Sequence, residues 1–183
     1  NFIIATGIVG FIFLLMGLFV VVKRSDNIQA LLLYWVLSLY GLATLTSPGH
    51  YSATGDLIGY LIRFFHAASY SIGSLFLILF VISFPVNHLK DEKIFLFWHL
   101  ILALLATSFS VTTQQYSIIN NLNGEIFEIS WTGVLAFFVY SVAAASYIFI
   151  KQFNSVSKKE DKRKLEWIMW GLTVGVAPYL FLW

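Results

Sequence analysis

The sequence predicts an all-α membrane protein, a polytopic bundle of transmembrane helices. Three observations carry that expectation. Hydrophobic residues make up 59% of the 183 and charged residues 11%, with a mean hydropathy of +0.83. A soluble domain is nearer a quarter charged. Six apolar segments approach or exceed the roughly 20 residues that a helix needs to cross the hydrocarbon core. Ten of the 11 Lys and Arg gather around three of the breaks between those segments.

The expected spans are 2–22, 28–47, 57–85, 94–111, 131–153 and 165–183. They should be helices, because backbone facing lipid has to satisfy its own hydrogen bonds. The strict apolar alternation of a membrane barrel is absent. Between the fourth and fifth spans, QQYSIINNLNGEIFEIS holds two short β-branched runs around Asn123-Gly124. Asn-Gly favours a tight hairpin turn, so a small hairpin is expected there. In the sixth span, Gly171 and Gly175 form a small-xxx-small pair suited to close helix packing, and Pro178 should kink that helix or serve as a hinge. The chain starts at Asn1 and stops at Trp183, both within apolar runs. The expectation is one transmembrane domain, 1–183, cut from a longer protein at both ends.

Topology follows from the cations. Lys23 and Arg24 follow the first span, Lys90 and Lys93 the third, and Lys151, Lys158, Lys159, Lys162, Arg163 and Lys164 the fifth. The positive-inside rule then places the N-terminus outside and these three regions in the cytoplasm. The remaining cation, Arg63, falls on the other side.

Arg63 belongs to the third span, which holds the candidate site. At about 100° per residue, Asp56, Arg63, His66, Tyr70 and Ser74 fall within an arc of about 80°, with Gly59 and Gly73 on the same side. That polar face should look into the bundle, since charge facing lipid is costly. Residues 57–85 would make about 43 Å of helix, longer than the hydrocarbon core of about 30 Å. Counting back from Pro85 puts Arg63 at the outer interface, where its side chain could snorkel to water, and His66 at the threshold. Arg63, His66 and Tyr70 are the candidate ligand-binding residues. The plainer reading makes Arg63 an interfacial anchor or a partner of Asp56. Trp131, Trp167 and Trp183 fit an interfacial aromatic belt.

Other chemistries lack their residues. There is no cysteine, hence no disulfide, thiolate metal site or thiol nucleophile. The four histidines are scattered, so neither a metal nor another cofactor is expected. No Gly-x-Ser-x-Gly or His-Glu-x-x-His motif is present. No catalytic residue is assigned, and this segment is expected not to be an enzyme. The basic stretch KQFNSVSKKEDKRKLEW suits anionic lipid rather than nucleic acid.

The third span ends LFLILFVISFP, and the chain closes with KKEDKRKLEWIMWGLTVGVAPYLFLW. A basic run, Leu-x-Trp, a Gly-bearing apolar stretch and a Pro-aromatic-Leu resemble the N-terminal, seven-transmembrane type sensor region of bacterial sensor histidine kinases. The resemblance is loose over all six spans, and residues 75–85 and 162–182 carry it. It implies a seventh helix beyond Trp183, then a cytoplasmic output domain in the same chain, such as a histidine kinase of a two-component system. It also implies the bacterial inner membrane and a homodimer. It brings no ligand-binding residues with it. The expected function is a receptor module that detects a small molecule, a peptide or the state of the membrane from the outer face. A transporter or channel subunit, or a structural subunit of a membrane complex, remain the alternatives.

Overall fold

The computed structural model describes residues 2–50, 55–85, 92–120, 124–166 and 170. Five long helices run α1 Phe2–Lys23, α2 Ile28–His50, α3 Leu57–Ser83, α4 Lys93–Ile119 and α5 Gly124–Ser155. A short helix, α6, follows over 159–166. Among the described residues there is no strand, and the chain is an all-α bundle. Each of α1 to α5 is long and apolar enough to cross a membrane. Exposed side chains such as Phe11, Phe19, Trp98, Leu105 and Tyr147 give the bundle an apolar outer surface. That surface suits lipid and not water.

Local signals start the helices. Asn27 caps α2, its Oδ1 accepting from the Gln29 backbone N–H at 2.8 Å. Asp56 caps α3 in the same way, accepting from Gly59 N–H at 2.8 Å. Each cap satisfies one of the backbone donors left open in a first helical turn.

The expected hairpin is not formed. Residues that were to make its first strand continue α4 to Ile119, and α5 begins at Gly124. The turn residues 121–123 lie outside the described residues. The physical reason is visible in the burial pattern. Ala103, Thr107, Ser110, Gln114 and Ser117 are buried along α4, and Ser130, Val134, Phe137, Ser141, Ala145, Phe149 and Gln152 along α5. Both series keep the helical period, so packing overrides the strand preference of Val111, Thr112, Thr113, Ile118 and Ile119. The expected sixth span, with Gly171, Gly175 and Pro178, lies outside the described residues.

Helix α3 is the centre of the bundle. It packs on α2, α4 and α5, whereas α1 packs only on α2. Inside the bundle, 72% of the apolar window of α3 is buried, against 11% for α1. The chain reverses direction at each connection. One end of the bundle therefore collects the start of α3 and the end of α4, and the other collects the basic residues. The core divides accordingly. Towards the basic end Leu32, Val36, Leu77, Ile78, Phe80, Val81, Ile82, Ala145 and Phe149 form an apolar cluster. Towards the opposite end a smaller cluster of Ala43, Ala67, Tyr70, Val111 and Val134 is mixed with buried polar groups.

A glycine contact joins α1 to α2. A Cβ added at Gly10 would lie 2.8 Å from the Gly41 carbonyl, and one at Gly41 would lie 2.8 Å from the Gly10 carbonyl. Only glycine at both positions lets the two backbones come this close. Gly7, on the same helix, has nothing within 4 Å. Gly41→Val should therefore destabilise the protein in detergent by about 1–3 kcal/mol through overpacking. Gly7→Ala should be neutral or stabilising by up to about 1 kcal/mol through helix propensity. Unfolding of the two variants in mixed micelles checks the contrast.

Candidate functional site

The polar stripe of α3 faces the interior. Gly59, Arg63, His66, Tyr70, Gly73 and Ser74 are all buried there. Arg63 has no exposed surface and is the one buried Lys, Arg, Asp or Glu among the described residues. This corrects the expectation that its side chain would snorkel outward. One guanidinium nitrogen, Nη2, donates to Oε1 of Gln115 on α4 at 2.7 Å. The exposed Asp56 stands seven positions earlier on the same helix face. The side chain reaches inward because polar partners are provided there, and a buried charge without them would be very costly.

His66 sits one turn deeper and is 1% exposed. Its Nδ1 lies 2.9 Å from the Ala43 carbonyl and 3.1 Å from Thr46 Oγ1. The Thr46 hydroxyl donates to the Leu42 carbonyl at 2.8 Å. Both groups therefore present acceptors to His66, which assigns the proton to Nδ1. The imidazole stacks on Trp131 of α5, with centroids 4.9 Å apart and planes at 25°. Tyr70 meets both rings edge-on, at 5.2 Å from His66 and 5.4 Å from Trp131. Trp131 is thus part of the interior, not of an outer aromatic belt alone.

Below this ring cluster, Tyr40 of α2 packs against Phe138 at 5.8 Å. Its hydroxyl lies 3.4 Å from Ser74 Oγ, which itself donates to the Tyr70 carbonyl at 2.7 Å. The Tyr40 hydroxyl is then the donor. Gln114 is buried, bonded through Nε2 to Ser110 Oγ at 3.3 Å, while its Oε1 has no partner. The hydroxyl of Ser71 is likewise buried and unpartnered. The arrangement can bind, orient and discriminate by hydrogen bonding and charge.

Two polar features lie outside this cluster. His99 of α4 is 1% exposed, with Nε2 3.1 Å from Ser141 Oγ. Ser141 donates to the Phe137 carbonyl, so His99 carries its proton on Nε2, and its Nδ1 has no partner. At the basic end, Gln29 Nε2 donates to the Ser83 carbonyl at 2.6 Å, and Gln152 Nε2 to the Ile82 carbonyl at 3.5 Å. These are carbonyls of the last turn of α3, which have no partner within their own helix.

The structure therefore groups Arg63, His66 and Tyr70 on one buried face, while Gly171, Gly175 and Pro178 lie outside the described residues. Sequence reasoning missed Gln115, Trp131, Thr46 and the two glutamines at the end of α3. The helical spacing of Ser110, Gln114 and Ser117 was the available signal for the α4 side of the site. In comparisons with family models, curated proteins and solved structures, none matches the chain.

Two outcomes follow from the hydrogen bonds. Arg63→Leu leaves the Gln115 carbonyl without this donor and should cost about 1–3 kcal/mol. Adding Gln115→Leu should recover part of that loss, whereas strictly additive losses in a double-mutant cycle would show the pair to be uncoupled. At the end of α3, Gln29→Ala should cost about 1 kcal/mol. Gln152→Leu should cost less, because its contact is long and its Oε1 is already unpartnered. Denaturant unfolding in mixed micelles measures these variants together with Gln115→Leu alone, which the cycle needs.

Proposed function

We propose that the chain is the membrane-embedded sensory module of a bacterial signalling protein. It receives a small anionic ligand at the end of the bundle that holds Arg63, and it relays occupancy to a cytoplasmic output domain such as a histidine kinase. In this reading that end faces outside and the basic end faces the cytoplasm. The observation that carries it is the one buried cation among the described residues, gathered with a cluster of stacked rings in one half of the interior. Arg63, Gln115, His66, Tyr70 and Trp131 lie in that half, and the apolar cluster of Leu77, Ile78, Val81 and Phe149 closes the other. A conduit for an anion would continue its cationic lining through both halves, whereas the buried polar side chains of the other half, Ser83, His99, Ser141 and Gln152, include no Lys or Arg. A receptor needs a site at one end and a packed body that can shift.

Arg63 favours a carboxylate. Its guanidinium presents paired donors that match two carboxylate oxygens. Neighbouring aromatic faces would hold a small organic body. A ligand acts only by binding one arrangement of the helices better than another, and α3, which touches three neighbours, is the element that such a ligand would bias.

The test uses the purified protein in lipid nanodiscs, titrated with a panel of small mono- and dicarboxylates. At least one should raise the melting temperature saturably. Arg63→Lys should weaken that response and Arg63→Ala should abolish it, with helical content unchanged. No saturable shift with any carboxylate would remove the anionic-ligand reading. Carboxylate flux into proteoliposomes would replace the receptor by a transporter.

A further inference from the structure

Helix α6 has a charge arrangement that the ligand site does not use. Leu165 has no exposed surface and belongs to the apolar cluster with Leu32, Leu77, Ile82 and Phe149. Lys162 Nζ stands 4.6 Å from the centroid of the Phe153 ring. Helix α6 is thereby held against the end of the bundle and does not hang free of it. That end is where α1 finishes at Lys23, α3 at Ser83 and α5 at Ser155, and where α4 starts at Lys93. The ends of spanning helices mark the boundary between hydrocarbon and headgroups.

The basic residues of α6 are not equivalent. Lys164 Nζ lies 3.0 Å from Asp161 Oδ1 and 3.4 Å from Glu160 Oε1. The hydrogen bonds to Asp161 and then Glu160 hold its ammonium above the ordinary lysine range, so its charge is answered within the helix. At about 100° per residue, Glu160, Asp161 and Lys164 occupy one flank of about 100°. Lys159, Lys162 and Arg163 fall within a separate arc of about 100°. All three are exposed, as is Lys158 just before the helix, and the exposed Glu166 falls within the same arc one turn beyond Lys162. Lys23, Arg24, Lys93 and Lys151 are exposed at the same end of the bundle. Among the described residues the opposite end exposes no Lys or Arg, only acidic side chains such as Asp56 and Glu128.

We propose that Lys158, Lys159, Lys162 and Arg163 form a docking surface for the phosphate headgroups of anionic phospholipids, with Leu165 as its anchor. The charge and the position at the headgroup boundary both fit that occupant. A negative leaflet attracts each basic residue near its surface, and the attraction decays within a Debye length of about 10 Å in moderate salt. Lys164 takes no part.

The experiment compares the full chain in nanodiscs of phosphatidylcholine with nanodiscs that also contain phosphatidylglycerol. Hydrogen exchange is followed at residues 158–166. Phosphatidylglycerol should slow exchange several-fold there, and added salt should reverse the effect. The combined variant Lys158→Gln, Lys159→Gln, Lys162→Gln, Arg163→Gln should lose this protection while keeping its helical content. Lys164→Gln should keep the protection. Exchange that ignores lipid charge would overturn the proposal, as would equal losses in the two variants, since net charge alone would then suffice. Equal protection by soluble polyglutamate over phosphatidylcholine would overturn it in favour of an acidic soluble partner.

Discussion

A guanidinium with no exposed surface constrains the rest of this bundle. Arg63 cannot face lipid, because removing a charge from water without partners is prohibitively costly. Its helix must therefore be surrounded by other helices, and α3 is surrounded, by α2, α4 and α5. The same requirement reaches into the neighbours. Helix α4 has to continue past Val111 as a helix for Gln115 to reach Arg63 at 2.7 Å. Helix α5 has to bring Trp131 over His66. The cost of one buried cation thus accounts for the continuation of α4 past Val111, while the stacking of Trp131 on His66 helps to place α5.

The two halves of the interior are built on different terms. Towards the basic end, most contacts are between aliphatic and aromatic side chains, whose many small dispersion terms reward close packing, and His99–Ser141 and the two glutamines on α3 are the polar exceptions. Lipid tails are as apolar as those side chains, so shape complementarity decides which helices associate there. Towards the opposite end, hydrogen bonds and ring contacts specify which atoms meet. Thr46 accepts from His66 only because its own proton is engaged with Leu42. An interior of that kind distinguishes one helix arrangement from another, which packed aliphatic groups do less sharply. Unpartnered atoms at Ser71 and Gln114 mark where a different arrangement could gain hydrogen bonds.

Much of this was legible in the sequence, for identifiable reasons. Length and hydropathy are enough to find α1, α2 and α3 within a few residues, since a bilayer sets the length of its helices. The face of α3 was legible because Arg63, His66, Tyr70 and Ser74 repeat at the helical period. The depth of Arg63 was not. Counting residues against a bilayer gives the height of a side chain but not what stands beside it, and Gln115 is 52 residues away. The α4–α5 connection was misread because Asn123-Gly124 and the neighbouring β-branched residues carry a local strand signal. Burial of Gln114, Ser117 and Ser130 on helical faces outweighs that signal. The close approach of α1 to α2 was hidden for a different reason. Gly10 and Gly41 lie on separate helices, and no spacing within one segment reveals a pair of that kind.

The far end of α3 shows how the last carbonyls of a central helix are met without adding charge. A charged side chain would satisfy the carbonyls of Ile82 and Ser83 more strongly than an amide, but it would add a second buried charge beside the apolar cluster. Glutamine supplies a donor without that cost. The two donors are unequal, however. Gln29 holds Ser83 at 2.6 Å, whereas Gln152 stands 3.5 Å from Ile82 and leaves its own Oε1 buried and unpartnered. The hydrogen bond to α2 is therefore the firmer of the two. Helix α5 leads directly into α6, whose Leu165 reaches back into the same cluster. Along that side it is the packing of Ala145, Phe149 and Leu165 on Leu77, Ile78 and Val81, more than the long hydrogen bond, that holds α3 in place.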